Sequence, residues 1–175
     1  MKILRRIVVW AIVALLVLAL IATAIGFTYD EGHVVKREAI YTQPPAVVWK
    51  VITSFDESHH WRSDVDAVEI ESSEPIRFVE MQRTGPIPME VIEQEPGKKL
   101  EIMISEPDLP ISGSWTFVLA ADEGGTRLSI TENAQVRNPL MRFIARTFSD
   151  PNETTDTYLI DLGKHLGEQV VPASF

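Results

Sequence analysis

One stretch constrains this chain before anything else. Residues Ile7 to Phe27 form a run of 21 residues without a charge, broken only by Thr23 and Gly26. As a helix it is roughly 30 Å long, the thickness of a bilayer's hydrocarbon core. No face of such a helix is polar, so it does not read as a surface helix of a soluble domain. Lys2, Arg5 and Arg6 precede the run, and Asp30 and Glu31 come after it. The positive-inside rule then places the N-terminus in the cytoplasm and the rest of the chain outside, whether periplasmic or extracellular. Ala22-Thr23-Ala24 also fits a small-x-small cleavage site, so a signal peptide removed from a secreted protein stays open. The length of the run favours an uncleaved anchor. Both readings export the remainder of the chain.

The exported part, residues 28–175, carries 13 cations against 25 anions. That balance excludes nucleic acid as a main partner, because phosphate binding needs a basic face. The chain has no cysteine, which removes disulfides, thiolate metal ligands and cysteine nucleophiles. Its 148 residues suffice for one sizeable core.

The organisation expected is a membrane segment over 1–27, a short link over 28–32, one domain over 33–168 and a tail over 169–175. His33 to Tyr41 reads as a strand. Pro44-Pro45 suits the start of a helix, since first-turn amides lack intrahelical partners. Val47, Val48, Val51 and Ile52 give that helix one apolar face. Ser58 to Arg62 reads as a second short turn. Strands are predicted near 65–72, 76–84, 88–95, 99–105, 112–121 and 125–135. Glu95-Pro96-Gly97-Lys98 suits a type II turn and Glu123-Gly124-Gly125 a tight hairpin, so the strands form an antiparallel meander.

Alternation assigns the faces. Trp115, Phe117 and Leu119 share one side, as do Leu100, Ile102 and Ile104. Leu128 and Ile130 share a side that Glu132 continues if no bulge intervenes. The cover for this face lies at the C-terminus. Asn138-Pro139 starts a helix, with Leu140, Phe143, Ile144 and Thr147 on one side. Asp150-Pro151-Asn152-Glu153 repeats the start signal, and Tyr158, Leu159, Leu162 and Leu166 continue the stripe. The pattern predicts a long C-terminal helix, bent or restarted near Pro151.

A strand, two short helices, six antiparallel strands and a terminal helix resemble the helix-grip fold of the START-like (SRPBCC) superfamily, in particular its polyketide cyclase/dehydrase branch. Pro44-Pro45-Ala46-Val47-Val48-Trp49 is similar to that family's first helix, and Phe55 to Trp61 to its second. Gly113-Ser114-Trp115-Thr116-Phe117 with Gly125 to Glu132 resembles its last hairpin. Asn138 to Phe143 with Tyr158 to Leu162 resembles its final helix. The resemblance implies an α+β fold in which a curved antiparallel sheet grips the long helix around a cavity for an apolar or amphipathic ligand. It implies no catalytic residue, because the family has no universal catalytic motif. An N-terminal membrane helix departs from its commonest, soluble members.

Candidate cavity residues are Trp61, Met81, Met89, Trp115, Phe117, Glu132, Phe143 and Tyr158. Burial of Glu132 would raise its pKa and make it an acid, base or ligand anchor. His59 and His60 are adjacent and diverge, so they make a poor metal site. His165 suits the C-terminal end of a helix dipole. Asp64, Asp66, Glu69 and Glu71 read as a solvated acidic face. Asn152-Glu153-Thr154 matches a glycosylation sequon, meaningful only in a eukaryotic secretory pathway. No cofactor and no metal is expected, and there is no nucleophile elbow, phosphate loop or zinc-protease motif. The expected function is binding of a hydrophobic small molecule or lipid at a membrane. The alternatives are a cyclase/dehydratase-like enzyme, with Glu132 or Tyr158 moving a proton, and a non-catalytic interaction module whose protein partner is unspecified.

Overall fold

The computed structural model describes residues 2–175. The apolar run forms helix α1, Lys2–Gly26, which stands out from the rest of the chain and is exposed over nearly all its length. It is the one described helix long and apolar enough to cross a membrane. The domain then runs through β1 (Gly32–Tyr41), α2 (Pro45–Thr53), a 3-10 turn (Phe55–His60), β2 (Val65–Ser73), β3 (Ile76–Gln82), β4 (Gly85–Glu95), β5 (Lys99–Ile104), β6 (Ile111–Asp122) and β7 (Gly125–Val136). Helices α3 (Pro139–Phe148) and α4 (Glu153–His165) and a short strand β8 (Ala173–Ser174) complete it.

The eight strands make one antiparallel sheet in the order β2-β3-β4-β5-β6-β7-β1-β8. Register shifts in β2 and β4 add residues on one strand against its partner and help curve the sheet. The expected turns are present. Gly97 and Gly124 take φ of 74° and 85°, a region open to glycine at little cost. Lys98 N–H donates to the Glu95 carbonyl at 3.0 Å and closes the first turn. The concave face buries Phe78, Leu100, Ile102, Phe117, Leu119, Leu128 and Ile130. Helix α4 crosses this face with Leu159 and Leu162 fully buried, and the Tyr41 hydroxyl donates to the Leu159 carbonyl at 2.9 Å. This is the α+β helix-grip arrangement, with α1 added in front.

The C-terminal helix is two helices rather than a bent one. Ser149 is extended and Pro151 lacks an N–H, so the α3 ladder ends before Asp150. Asn138 caps α3 as expected, its Oδ1 accepting from Met141 N–H at 3.1 Å. At α4 the Asp150 carboxylate instead accepts from the backbone N–H of Asn152 at 2.9 Å and caps the turn that leads in. The tail is also docked. Residues 173–174 pair with β1, and Arg37 donates to Pro172 O and Ser174 Oγ while gripping Asp156 on α4.

Candidate functional site: a cavity between sheet and helices

Between the concave face and the two C-terminal helices lies a cavity of about 410 Å³. Its inner wall is the sheet: Phe78, Met89, Ile102, Ile104, Trp115, Phe117, Ile130 and Glu132. Ile52 and Phe55 close one end, with Phe55 stacked on Phe78 at 4.6 Å between centroids. Tyr158 and Thr155 of α4 form the roof, Tyr158 meeting Trp61 edge-on at 5.1 Å and Phe117 at 5.2 Å. The exposed wall residues Glu31, Arg146, Ser149 and Asp150 mark where the cavity meets solvent, beside α3.

Six of the eight candidate residues line this cavity: Trp61, Met89, Trp115, Phe117, Glu132 and Tyr158. Met81 and Phe143 do not. In β3 the inward positions are Phe78, Glu80 and Gln82, so period-2 alternation turns Met81 to the other face. On α3 the inward positions are Arg142, Ala145, Arg146 and Ser149. Phe143 lies off them and meets Phe148 edge-on at 6.3 Å.

Three polar atoms on the wall have no hydrogen-bond partner among the described residues: Ser58 Oγ, Trp61 Nε1 and Glu132 Oε2. Strand β7 pairs with β6 without a bulge, so Glu132 stands opposite Trp115 and continues the inward row of Leu128 and Ile130. Burial pushes the Glu132 pKa up, and the indole of Trp115 pulls it partly back. Burial also raises the Tyr158 hydroxyl, with the Arg62 cation opposing it.

Sequence reasoning missed the cavity's charged end. Arg62 reaches Glu80 Oε1 at 2.5 Å and both Asp64 oxygens at 2.7 and 3.1 Å. Its guanidinium also sits 5.3 Å from the centre of the Tyr158 ring. Burial works against the Arg62 charge, but Glu80 and Asp64 outweigh it and hold its pKa above the ordinary range. Asp64 is therefore the partner of a buried cation rather than part of a solvated acidic face. The alternation that moves Met81 outward would have found Glu80, a carboxylate two residues from Phe78 on the same face. His59 and His60 do not line the cavity, and their rings lie 3.9 Å apart. Among the described residues no three His, Cys, Asp or Glu side chains gather closely enough to hold a metal ion.

Residues 33–151 match the family model described as polyketide cyclase / dehydrase and lipid transport. A search of curated proteins finds no significant match. Solved structures share the fold at low identity. A START superfamily protein from Mycobacterium smegmatis is 13% identical, with a TM-score of 0.63 over 77% of this chain and 97% of that one. Truncated norcoclaurine synthase from Thalictrum flavum is 9% identical, with a TM-score of 0.62 over 77% and 93%. Protein MLL2253 from Mesorhizobium loti is 18% identical, with a TM-score of 0.58 over 78% and 96%.

Proposed function

The chain belongs to the polyketide cyclase/dehydrase and lipid transport family, and from that premise we propose that it binds a hydrophobic or amphipathic small molecule, such as a lipid, at a membrane surface. The observation that carries this reading is the composition of the cavity wall. Its volume of about 410 Å³ falls in the range of small-molecule sites. Its surface is mostly apolar, with partnerless polar atoms at Ser58, Trp61 and Glu132. Such atoms are costly to bury in a filled core, because each gives up water without a replacement. A ligand with an apolar body and one or two polar groups satisfies both features. An interaction module with a filled core would need neither.

In this reading α1 anchors the domain, with the N-terminus cytoplasmic and residues 33–168 extracytoplasmic. The anchor raises the effective concentration of membrane-borne ligand at the cavity. The test is native mass spectrometry of the full chain released from detergent micelles, with solvent extraction of anything bound. A defined apolar adduct is expected, lost in a Trp115→Asp variant that keeps the wild-type circular dichroism. A clean protein mass after incubation with a lipid extract overturns the reading.

The raised pKa of Glu132 supports a second reading. A carboxyl that keeps its proton beside a bound ligand can act as a general acid. Chemical conversion of the extracted molecule by wild type, abolished in Glu132→Gln, separates enzyme from carrier.

A further inference from the structure

Helix α3 departs from the pattern of a helix that covers a domain in water: it buries an arginine and leaves large apolar side chains exposed. Its cavity side presents Arg142, Arg146 and Ser149. Its other side presents Met141, Ile144 and Phe148, which are 46%, 42% and 75% exposed. A helix on a soluble domain normally turns its apolar stripe to the core and its charges to solvent. Here Leu140 and Phe143 are half-buried while Met141, Ile144 and Phe148 face out, an apolar patch that the domain itself leaves uncovered.

The position of α3 identifies the cover. It packs against the last turns of α1, where Ala22 and Thr23 become half-buried and Gly26 buried. The approach is backbone-close, since a Cβ on Gly26 would overlap the Pro139 carbonyl. Arg142 fixes the arrangement. It is 4% exposed and donates to the carbonyls of Gly26, Tyr29, Val136 and Arg137 and to the Glu31 carboxylate. The domain is thus stapled to the end of α1 rather than swinging on a loose link.

The depth is then a matter of arithmetic. If the run from Ile7 to Phe27 fills a hydrocarbon core of about 30 Å, Ala22 to Gly26 occupy roughly its outer 8 Å. Amphipathic helices lying on a bilayer bury their apolar face about 5–10 Å into the headgroup and acyl boundary. The exposed rings of Phe27 and Tyr29 sit at the same level, as aromatic residues do at membrane interfaces.

We propose that α3 lies in the interfacial layer of the bilayer that α1 enters, with Met141, Ile144 and Phe148 among the lipids. The helix is then the wall between bilayer and cavity, and the cavity mouth beside Arg146 and Ser149 opens at the membrane surface. This inference rests on reading α1 as a membrane span, so its test must separate the two.

The chain has no cysteine, so single introduced cysteines can be labelled uniquely with nitroxide. Labels at Ile144→Cys and Phe148→Cys are compared with Leu16→Cys in α1 and Lys98→Cys at a hairpin tip. Each full chain is placed in phosphatidylcholine vesicles, and collision with oxygen is measured against a water-soluble nickel complex. The expected result is oxygen-favoured collision at 16, 144 and 148, with 144 and 148 at a depth of about 5–10 Å and nickel-favoured collision at 98. If 16 is in hydrocarbon while 144 and 148 match 98, the anchor stands and this inference falls. If 16 also matches 98, the anchor reading falls and takes the inference with it.

Discussion

Replacing Glu132 with glutamine should stabilise the protein by an amount that grows as the pH rises. Glu132 is 6% exposed, and its Oε2 has no partner among the described residues. Leaving a buried polar group unsatisfied costs about 1–3 kcal/mol, and more as the group becomes charged. Proton counting gives the sign. At acid pH Glu132 is neutral in both states, and its titration contributes nothing to the difference. As the pH passes the ordinary value of 4.5, the unfolded chain loses the proton while the folded chain, with its raised pKa, keeps it. The folded state then binds more protons than the unfolded one, so stability falls with pH. The fall ends once the pH exceeds the raised native value.

The assay is urea unfolding of full-length wild type and Glu132→Gln in nonionic micelles, repeated between about pH 4 and pH 8. The difference between the two proteins isolates Glu132 from the other carboxylates. It should open with pH to about 1–3 kcal/mol in favour of the glutamine variant. Trp115, directly across from Glu132, gives a local report, and its emission should titrate in wild type only. A difference that stays flat, or closes as the pH rises, refutes the placement of Glu132 in an unsatisfied apolar wall. A ligand that donates a hydrogen bond to Oε2 should close the gap, which makes the same measurement a binding assay.

Arg62→Met should cost about 3–5 kcal/mol, because Glu80 then stays buried without its cation. Urea unfolding should show most of that loss recovered in Arg62→Met with Glu80→Leu, since an apolar pair can replace a buried ion pair. Asp161 is 3% exposed and is held below the usual carboxylate range, because Lys164 and the hydroxyl and N–H of Ser63 outweigh the effect of burial. It contributes stability above its unfolded value of 3.8 that is lost as the pH falls through the depressed native one. Asp161→Asn should therefore destabilise by about 1–3 kcal/mol near neutrality and flatten the acid side of the stability profile. Arg142→Met should release the link between α1 and β1. Hydrogen exchange should speed up at residues 28–32 while β5 and β6 are unchanged.

The sheet was legible because its rules are local. Alternation at Leu100-Ile102-Ile104 and Trp115-Phe117-Leu119, with glycine at turn positions, decides which side chains point inward. The same alternation puts Glu132 on the cavity side, since Leu128 and Ile130 fix the phase and no bulge resets it. In β3 hydrophobic type points to Met81, but phase from Phe78 selects Glu80 for the cavity side. The ion pair of Arg62 with Glu80 joins residues 18 apart across a turn and two strands. No spacing rule encodes that contact, because its geometry exists only once β2 and β3 have paired.

Helix α3 is the opposite case. Its 3.6 period was legible, and so was the apolar face through Phe143 and Ile144, but period alone cannot say which way a face points. The direction depends on what else competes for the inward side. Arg142 wins that side because it satisfies the carbonyls of Gly26, Tyr29, Val136 and Arg137 at once, and buried carbonyls without donors are costly. Once Arg142 is turned inward, the positions on the far side must face out, and those are Met141, Ile144 and Phe148. The requirement that turns them outward comes from the junction of α1 with the domain, not from α3 itself. A version of this domain without α1 and its link would lose the Gly26 and Tyr29 carbonyls that hold Arg142. Its α3 would then be free to rotate its apolar side toward the cavity. Truncation should therefore change the cavity mouth as well as remove α1, and spin labels at Ile144 and Phe148 should lose mobility in the truncated domain as that side becomes buried. Equally mobile labels in a truncated domain that remains folded would show that the junction does not set the orientation of α3.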